Sequence, residues 1–152
     1  MRRAALILMM CITVLGAAAK NGWMYRNGRA AILSEGVAVT GDYSSTTALA
    51  LYVAPSDDGG TGVMVEGMGE FGTFAFRDKQ QYVVIDFGNF DRRKWAVVPV
   101  VSDGECNTFV FKRPKALIAK LKTCDSFCIT LPLADQGTTA FSFDTDGYPL
   151  DW

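Results

Sequence analysis

The chain of 152 residues contains no histidine. That excludes a Ser-His-Asp or Cys-His nucleophilic site and any histidine-ligated zinc or haem. Enzymes built without histidine work mostly through paired carboxylates, so its lack turns the reading away from catalysis. The chain also has no CxxC spacing, no metal-ligand cluster and no cofactor motif, so neither a metal nor a cofactor is expected. Low-complexity tracts are missing while aromatics make up 12%, which argues against disorder. After the first twenty residues no apolar run is long enough to span a bilayer, which takes roughly 20 residues.

What is present begins with "MRRAALILMMCITVLGAAAK". Arg2 and Arg3 precede an apolar run from Ala4 to Leu15, and Ala17-Ala18-Ala19 supplies small side chains. This is the layout of a secretory signal peptide over residues 1–19, cleaved after Ala19. One domain, residues 20–152, follows. Without Arg2 and Arg3, 13 basic residues face 16 acidic ones, a net charge of about −3. So weak a charge gives no reason to expect nucleic acid. The expected location is periplasmic or secreted, with no stable membrane insertion once the signal is gone.

Short strands recur at roughly ten-residue spacing. Asn27-Gly28 marks a tight turn. Thr46–Ala54 alternates strongly, "PSDDGGTG" can only be a loop, and "VMVEGM" returns as the partner strand. Thr73–Arg77 and Gln81–Phe87 read as a second hairpin. Trp95–Val101 follows, with Pro99 implying an edge or a bulge. Cys106–Lys112 is another strand, and Ser126–Leu133 with Thr138–Thr145 closes the chain as a hairpin. A single helical pattern occurs near residues 114–122: Pro114 suits its first turn, and Leu117, Ile118 and Leu121 form its apolar stripe. The pattern predicts an all-β antiparallel sandwich of about seven to nine strands with one short helix. The helix is expected to be a clasp packed on the sheet, its lysines solvated.

In an oxidising compartment two of Cys106, Cys124 and Cys128 would pair. The strand from Cys106 runs out about 20 Å and the helix returns about 13 Å, which brings Cys124 back towards Cys106. A Cys106–Cys124 disulfide is therefore expected, with Cys128 left over. It would contribute about 3 kcal/mol in the chain-entropy model.

The densest basic stretch is "DRRKW". Arg92, Arg93 and Lys94 beside Trp95 could grip a carboxylate, a phosphate or a sugar ring. "DTDG" (Asp144 to Gly147) reads as a plain Asx-type turn, because the chain ends before a calcium loop could be completed. Carboxylates for acid–base work could be drawn from Glu66, Glu70, Asp86 and Asp91. Asp86 on its apolar strand reads as a satisfied polar group at a strand end.

"YVVIDFGN", the strand led by Trp95, "KALIAKL", "CITLPL" and "TTAFSFDTDGY" come in an order that resembles small exported bacterial β-sandwich proteins. These are the invasion-associated locus B and type VI secretion-associated VasI-like families, and the resemblance covers about residues 81–148. Asp86 matches a family aspartate, whereas Val84 stands where those families carry arginine. The resemblance implies an envelope or secreted accessory protein with no demonstrated enzyme activity. The expected function is thus a non-enzymatic exported module that binds a partner in the envelope or outside the cell. The alternatives are a carboxylate-dependent hydrolase acting on a glycan, or a structural subunit of an envelope or secretion assembly.

Overall fold

The structure is a computed structural model that describes residues 22–38, 46–69, 72–79, 81–134 and 136–145. The signal segment and most of "DTDGYPLDW" lie outside these residues. Ten strands join in one antiparallel sheet: β1 (Met24–Arg26), β2 (Arg29–Leu33), β3 (Val37–Ala38), β4 (Thr46–Pro55), β5 (Thr61–Met68), β6 (Tyr82–Asp86), β7 (Arg92–Ser102), β8 (Glu105–Phe111), β9 (Ser126–Leu133) and β10 (Gly137–Asp144). One helix, α1 (Pro114–Leu121), stands between β8 and β9. The spatial order is β1-β2-β4-β5-β8-β7-β6-β9-β10, with β3 beside β4.

The all-β expectation holds, with one difference in architecture. A sandwich has two separate sheets, whereas here β7 belongs to both halves. Its first part pairs with β6 from Arg92 to Ala96, and its second pairs with β8 from Val97 to Ser102. An 11-residue strand can serve two neighbours because a long twisted strand turns from one partner plane to the next. A register shift between Val100 and Val101 adds to the bend. Pro99 falls in the second part, where β8 is the one strand paired with β7, so its missing N–H costs no ladder bond. The sheet curls into a half-barrel that brings the segment after β2 against β10. Ser34's N–H extends the β2–β4 pairing by donating to Leu49's carbonyl at 2.9 Å, and Glu35's N–H donates to Ser142's carbonyl on β10 at 2.8 Å.

Alternation decides which side chains enter the main core, while Ala31, Ala50 and Tyr52 form a second buried cluster. Ile32, Leu49, Leu51, Val53, Val63, Val65 and Phe109 point inward from one half. Val83, Ile85, Phe127, Ile129, Leu131, Phe141 and Phe143 meet them from the other, with Phe127 and Phe143 stacked at 4.5 Å between ring centroids. One opening of this interior is filled by α1, whose Leu117, Ile118 and Leu121 are buried as its spacing predicts. The segment "TFAFR" fills the other. It alternates like a strand, yet it does not form the expected hairpin with Gln81–Phe87. It crosses between β8 and β9 instead: Phe74's N–H donates to Cys106's carbonyl at 2.6 Å and Ala75's to Pro132's at 2.9 Å. Phe74 and Phe76 both pack on the ring of Phe109. Tertiary contact overrides the strand pattern here: the rings of Phe74 and Phe76 are held by Phe109, and the segment's backbone bonds go to Cys106 and Pro132.

The expected Cys106–Cys124 disulfide is not formed; Cys106, Cys124 and Cys128 are free thiols. The helix does not double back along β8; it lies across the mouth at which β8 ends, and Cys124 remains at that end. Cys106 lies beside Val101. Cys124 lies in a cleft with Asp91, which precedes the other end of β7. Ten residues of strand separate those positions, about 33 Å at ~3.3 Å per residue, far beyond the roughly 4.4–6.8 Å that a disulfide spans. Each thiol faces a nearby carbonyl instead, Cys106 that of Thr108 at 3.5 Å and Cys124 that of Leu121 at 3.7 Å. Burial pushes both thiols above the ordinary 9.0, so they stay protonated and slow to oxidise at neutral pH. Adding a reductant should leave the thermal midpoint unchanged. A drop of several degrees in a melt followed by circular dichroism would restore the disulfide.

Candidate functional site

Among the described residues, the β6–β7 connection is the most unusual turn. Three connections in this sheet carry adjacent residues with positive φ. At Asn27-Gly28 and Asp103-Gly104 the second residue is glycine, as a two-residue turn of this hand requires. In the third, Gly88, Asn89 and Phe90 have φ of 78°, 51° and 62°. Asp91's N–H donates to Gly88's carbonyl at 2.9 Å and Phe87's to Asp91's carbonyl at 3.0 Å, so the loop is closed. A phenylalanine therefore occupies a position that glycine fills in the other two turns. A bulky residue there is strained, costing about 1–3 kcal/mol. Phe90 is also fully exposed and gains nothing from the core in return.

The base of the turn is tied down from several sides. Asp86's carboxylate accepts Gly88's N–H at 2.8 Å, which bears out its reading as a satisfied strand-end group. Asp91 accepts from Arg93's Nε at 2.6 Å and from Lys120's Nζ on α1. These two cations hold the Asp91 carboxyl below its ordinary value, Lys120 most strongly. Lys120 is thus a brace between helix and hairpin, which corrects the expectation that the helix lysines are simply solvated.

The four residues expected to bind divide three to one. Arg92, Arg93 and Lys94 are exposed near the tip, with Lys94's Nζ 4.6 Å from the centre of the Tyr82 ring. Trp95 is 8% exposed and packs edge-on to Phe87 in the core. Its side chain points inward because it follows Lys94 on a strand where successive residues alternate faces, so it takes no part in a surface site. The ring that the surface does offer is Phe90. Its one sequence signal was the "GNFD" string, with phenylalanine where a turn former is usual.

Two open clefts flank α1. One, of about 370 Å³, lies beside the turn and is lined by Phe87, Asn89, Asp91, Lys120, Cys124 and Asp125 among others. The other, of about 660 Å³, lies between the helix start, with Lys112, Arg113 and Lys115, and the loop at Asp58–Thr61. Asp58 in that loop is satisfied by Ser56's hydroxyl and Gly60's N–H.

The candidate catalytic carboxylates are not gathered. Asp86 and Asp91 hold the turn, Glu70 lies outside the described residues, and Glu66 is on β5 between Ala50 and Thr108 of the neighbouring strands. Among the described residues no group of three His, Cys, Asp or Glu side chains could hold a metal. Burial raises Glu66's carboxyl above 4.5. The folded state then binds that proton more tightly than the unfolded chain. Stability is greatest below the ordinary value and declines as pH rises through the folded one. Glu66→Gln should raise the melting temperature at pH 7 and leave it unchanged at pH 4. Equal shifts at both values would disprove the assignment.

No protein-family model matches the chain, and neither a curated protein nor a solved structure does.

Proposed function

We propose that the protein is an exported, non-enzymatic module that binds a partner in the bacterial envelope or outside the cell. Its contact surface is the β6–β7 tip formed by Phe90, Arg92, Arg93 and Lys94. The observation that carries this reading is Phe90, both strained and fully exposed. A side chain that weakens the fold and buries nothing within it is retained for what it meets outside, since strain of this kind collects at functional sites. The N-terminal segment supports export, and the likeness of residues 81–148 to exported accessory proteins points the same way.

Phe90→Gly separates fold from function. Glycine takes the positive φ without strain, so the variant should be about 0.5–1 kcal/mol more stable by urea denaturation. An anchor aromatic at an interface is worth about 2 kcal/mol or more, so recovery of the partner from envelope extract should fall by about thirtyfold. A variant that is stabilised yet recovers the partner as well as wild type would remove the tip from the contact surface.

A second reading, a structural subunit of an envelope assembly, has its own observation. Val98, Val100 and Val101 are 42%, 45% and 64% exposed along the outer part of β7. Such a stripe suits permanent burial against a neighbour. Native electrophoresis of envelope extract that shows the protein wholly within a large complex would favour it.

A further inference from the structure

We infer that the tip docks into a folded protein whose surface offers a phenyl-sized apolar pocket with a carboxylate rim. This inference rests on the binding-module reading above and names the partner's chemistry.

The first argument is the rigidity of the anchor. Three consecutive residues are left-handed, and backbone bonds close the loop from both sides. Asp86 holds Gly88 from below, while Asp91 joins Arg93 to Lys120 on the helix. The backbone that carries the ring, and with it the direction in which the side chain leaves the turn, is therefore set before any encounter. A fluid bilayer accepts a phenyl ring in any orientation and gains nothing from this arrangement. A shaped pocket gains directly, because the entropy of ordering the anchor's backbone has already been lost on folding.

The second argument is one of magnitude. Arg93 and Lys120 are engaged by Asp91, and Lys94's Nζ lies 4.6 Å from the centre of the Tyr82 ring, so Arg92 and Lys94 are the cations that Asp91 does not neutralise. One phenyl ring and two cations would hold a bilayer with a constant on the order of 10³ M⁻¹. A single myristoyl chain reaches about 10⁴ M⁻¹ and is itself only marginal. The tip cannot keep the protein on a membrane. It can serve as the central anchor of a protein interface, where flanking contacts exclude water around a buried aromatic.

The third argument is charge. The chain as a whole is slightly acidic, with a formal net charge of −1. Yet Arg92, Arg93 and Lys94 follow one another beside the exposed ring. A cationic collar around an apolar anchor selects a pocket rimmed by carboxylates and speeds the encounter. Asp91 acts as a positioning residue: it touches no partner and fixes both the turn and two of the cations.

The test places a photoreactive benzophenone side chain at position 90 of the full chain and irradiates it with envelope extract. One protein adduct is expected, saturable and suppressed by excess wild type. Phe90→Gly should not suppress it. Lys120→Met, which keeps the ring but frees the turn, should need about three- to tenfold more competitor. Adducts with lipid alone would overturn the partner class while leaving the tip as the contact. A ladder of proteins that wild type does not suppress, or no adduct, would overturn the inference. Suppression by Phe90→Gly equal to that by wild type would instead sink the binding surface itself.

Discussion

Gly67→Ala should unfold the protein or cost it about 4 kcal/mol or more, placing it among the most damaging single substitutions. A methyl group at Gly67 would lie 2.0 Å from Gly72's carbonyl oxygen, and one at Gly72 would lie 2.6 Å from Gly67's carbonyl carbon. Both obstacles are backbone, so no side-chain rotation relieves them. The two glycines sit where the end of β5 crosses the strand-like plug that starts at residue 72. Gly69 between them has φ of 98° and would press on Thr46's carbonyl oxygen at 2.5 Å. Gly67 and Gly72 therefore mark a close backbone crossing at the mouth of the barrel. Urea denaturation of Gly67→Ala and Gly72→Ala checks the point. A midpoint within experimental scatter of wild type in either variant would mean that the two segments do not cross so closely.

Leu121→Ala should cost about 2–5 kcal/mol, the range for a leucine removed from a tightly packed site. Leu121 is fully buried at the C-terminal end of α1, within the cluster that also holds Leu117 and Ile118. An eight-residue helix cannot hold itself together in water, so its order comes from this packing. The loss should reach further than stability. Lys120 is the neighbouring residue, and its bond to Asp91 braces the hairpin tip. Leu121→Ala should therefore weaken partner recovery as well, even under conditions where the variant is fully folded. Lys115→Gln, which carries no such brace, should change neither. A cost below about 1 kcal/mol for Leu121→Ala would show that α1 is not part of the core.

The elements with the plainest local chemistry were legible. Asn27-Gly28 marked its turn, Thr46–Ala54 marked its strand, and Pro114 with the Leu117–Leu121 stripe marked the helix to within a residue. What escaped was decided by distant parts of the chain. "TFAFR" alternates as a strand should, and its destination at a barrel mouth depends on β8 and β9, which come later. The Cys106–Cys124 pairing expected from strand and helix rise fails on direction, because rise per residue says nothing of which way a helix leaves its strand. Trp95 was placed among the binding residues by its neighbours in sequence, while its face of the strand sends it inward. Phe90 was the reverse. Turn signals are recognised by glycine and asparagine, so a turn that carries phenylalanine at its tip hides in the sequence the same feature that marks it in the structure.

Among the described residues, the segment after β2 is joined to β10 by the bond from Glu35's N–H to Ser142's carbonyl, and a backbone bond of that kind contributes only about 0.5–1.5 kcal/mol net. Opening of the seam at this bond is therefore expected to cost less than opening of a ladder, and it needs no unfolding of the rest of the sheet. Each opening bares β10, whose sequence "GTTAFSFD" carries no lysine, no arginine and no proline to discourage a second strand from pairing with it. Crowding the protein thus works against it: at high concentration the seam is the place from which strand exchange and fibre-like association begin.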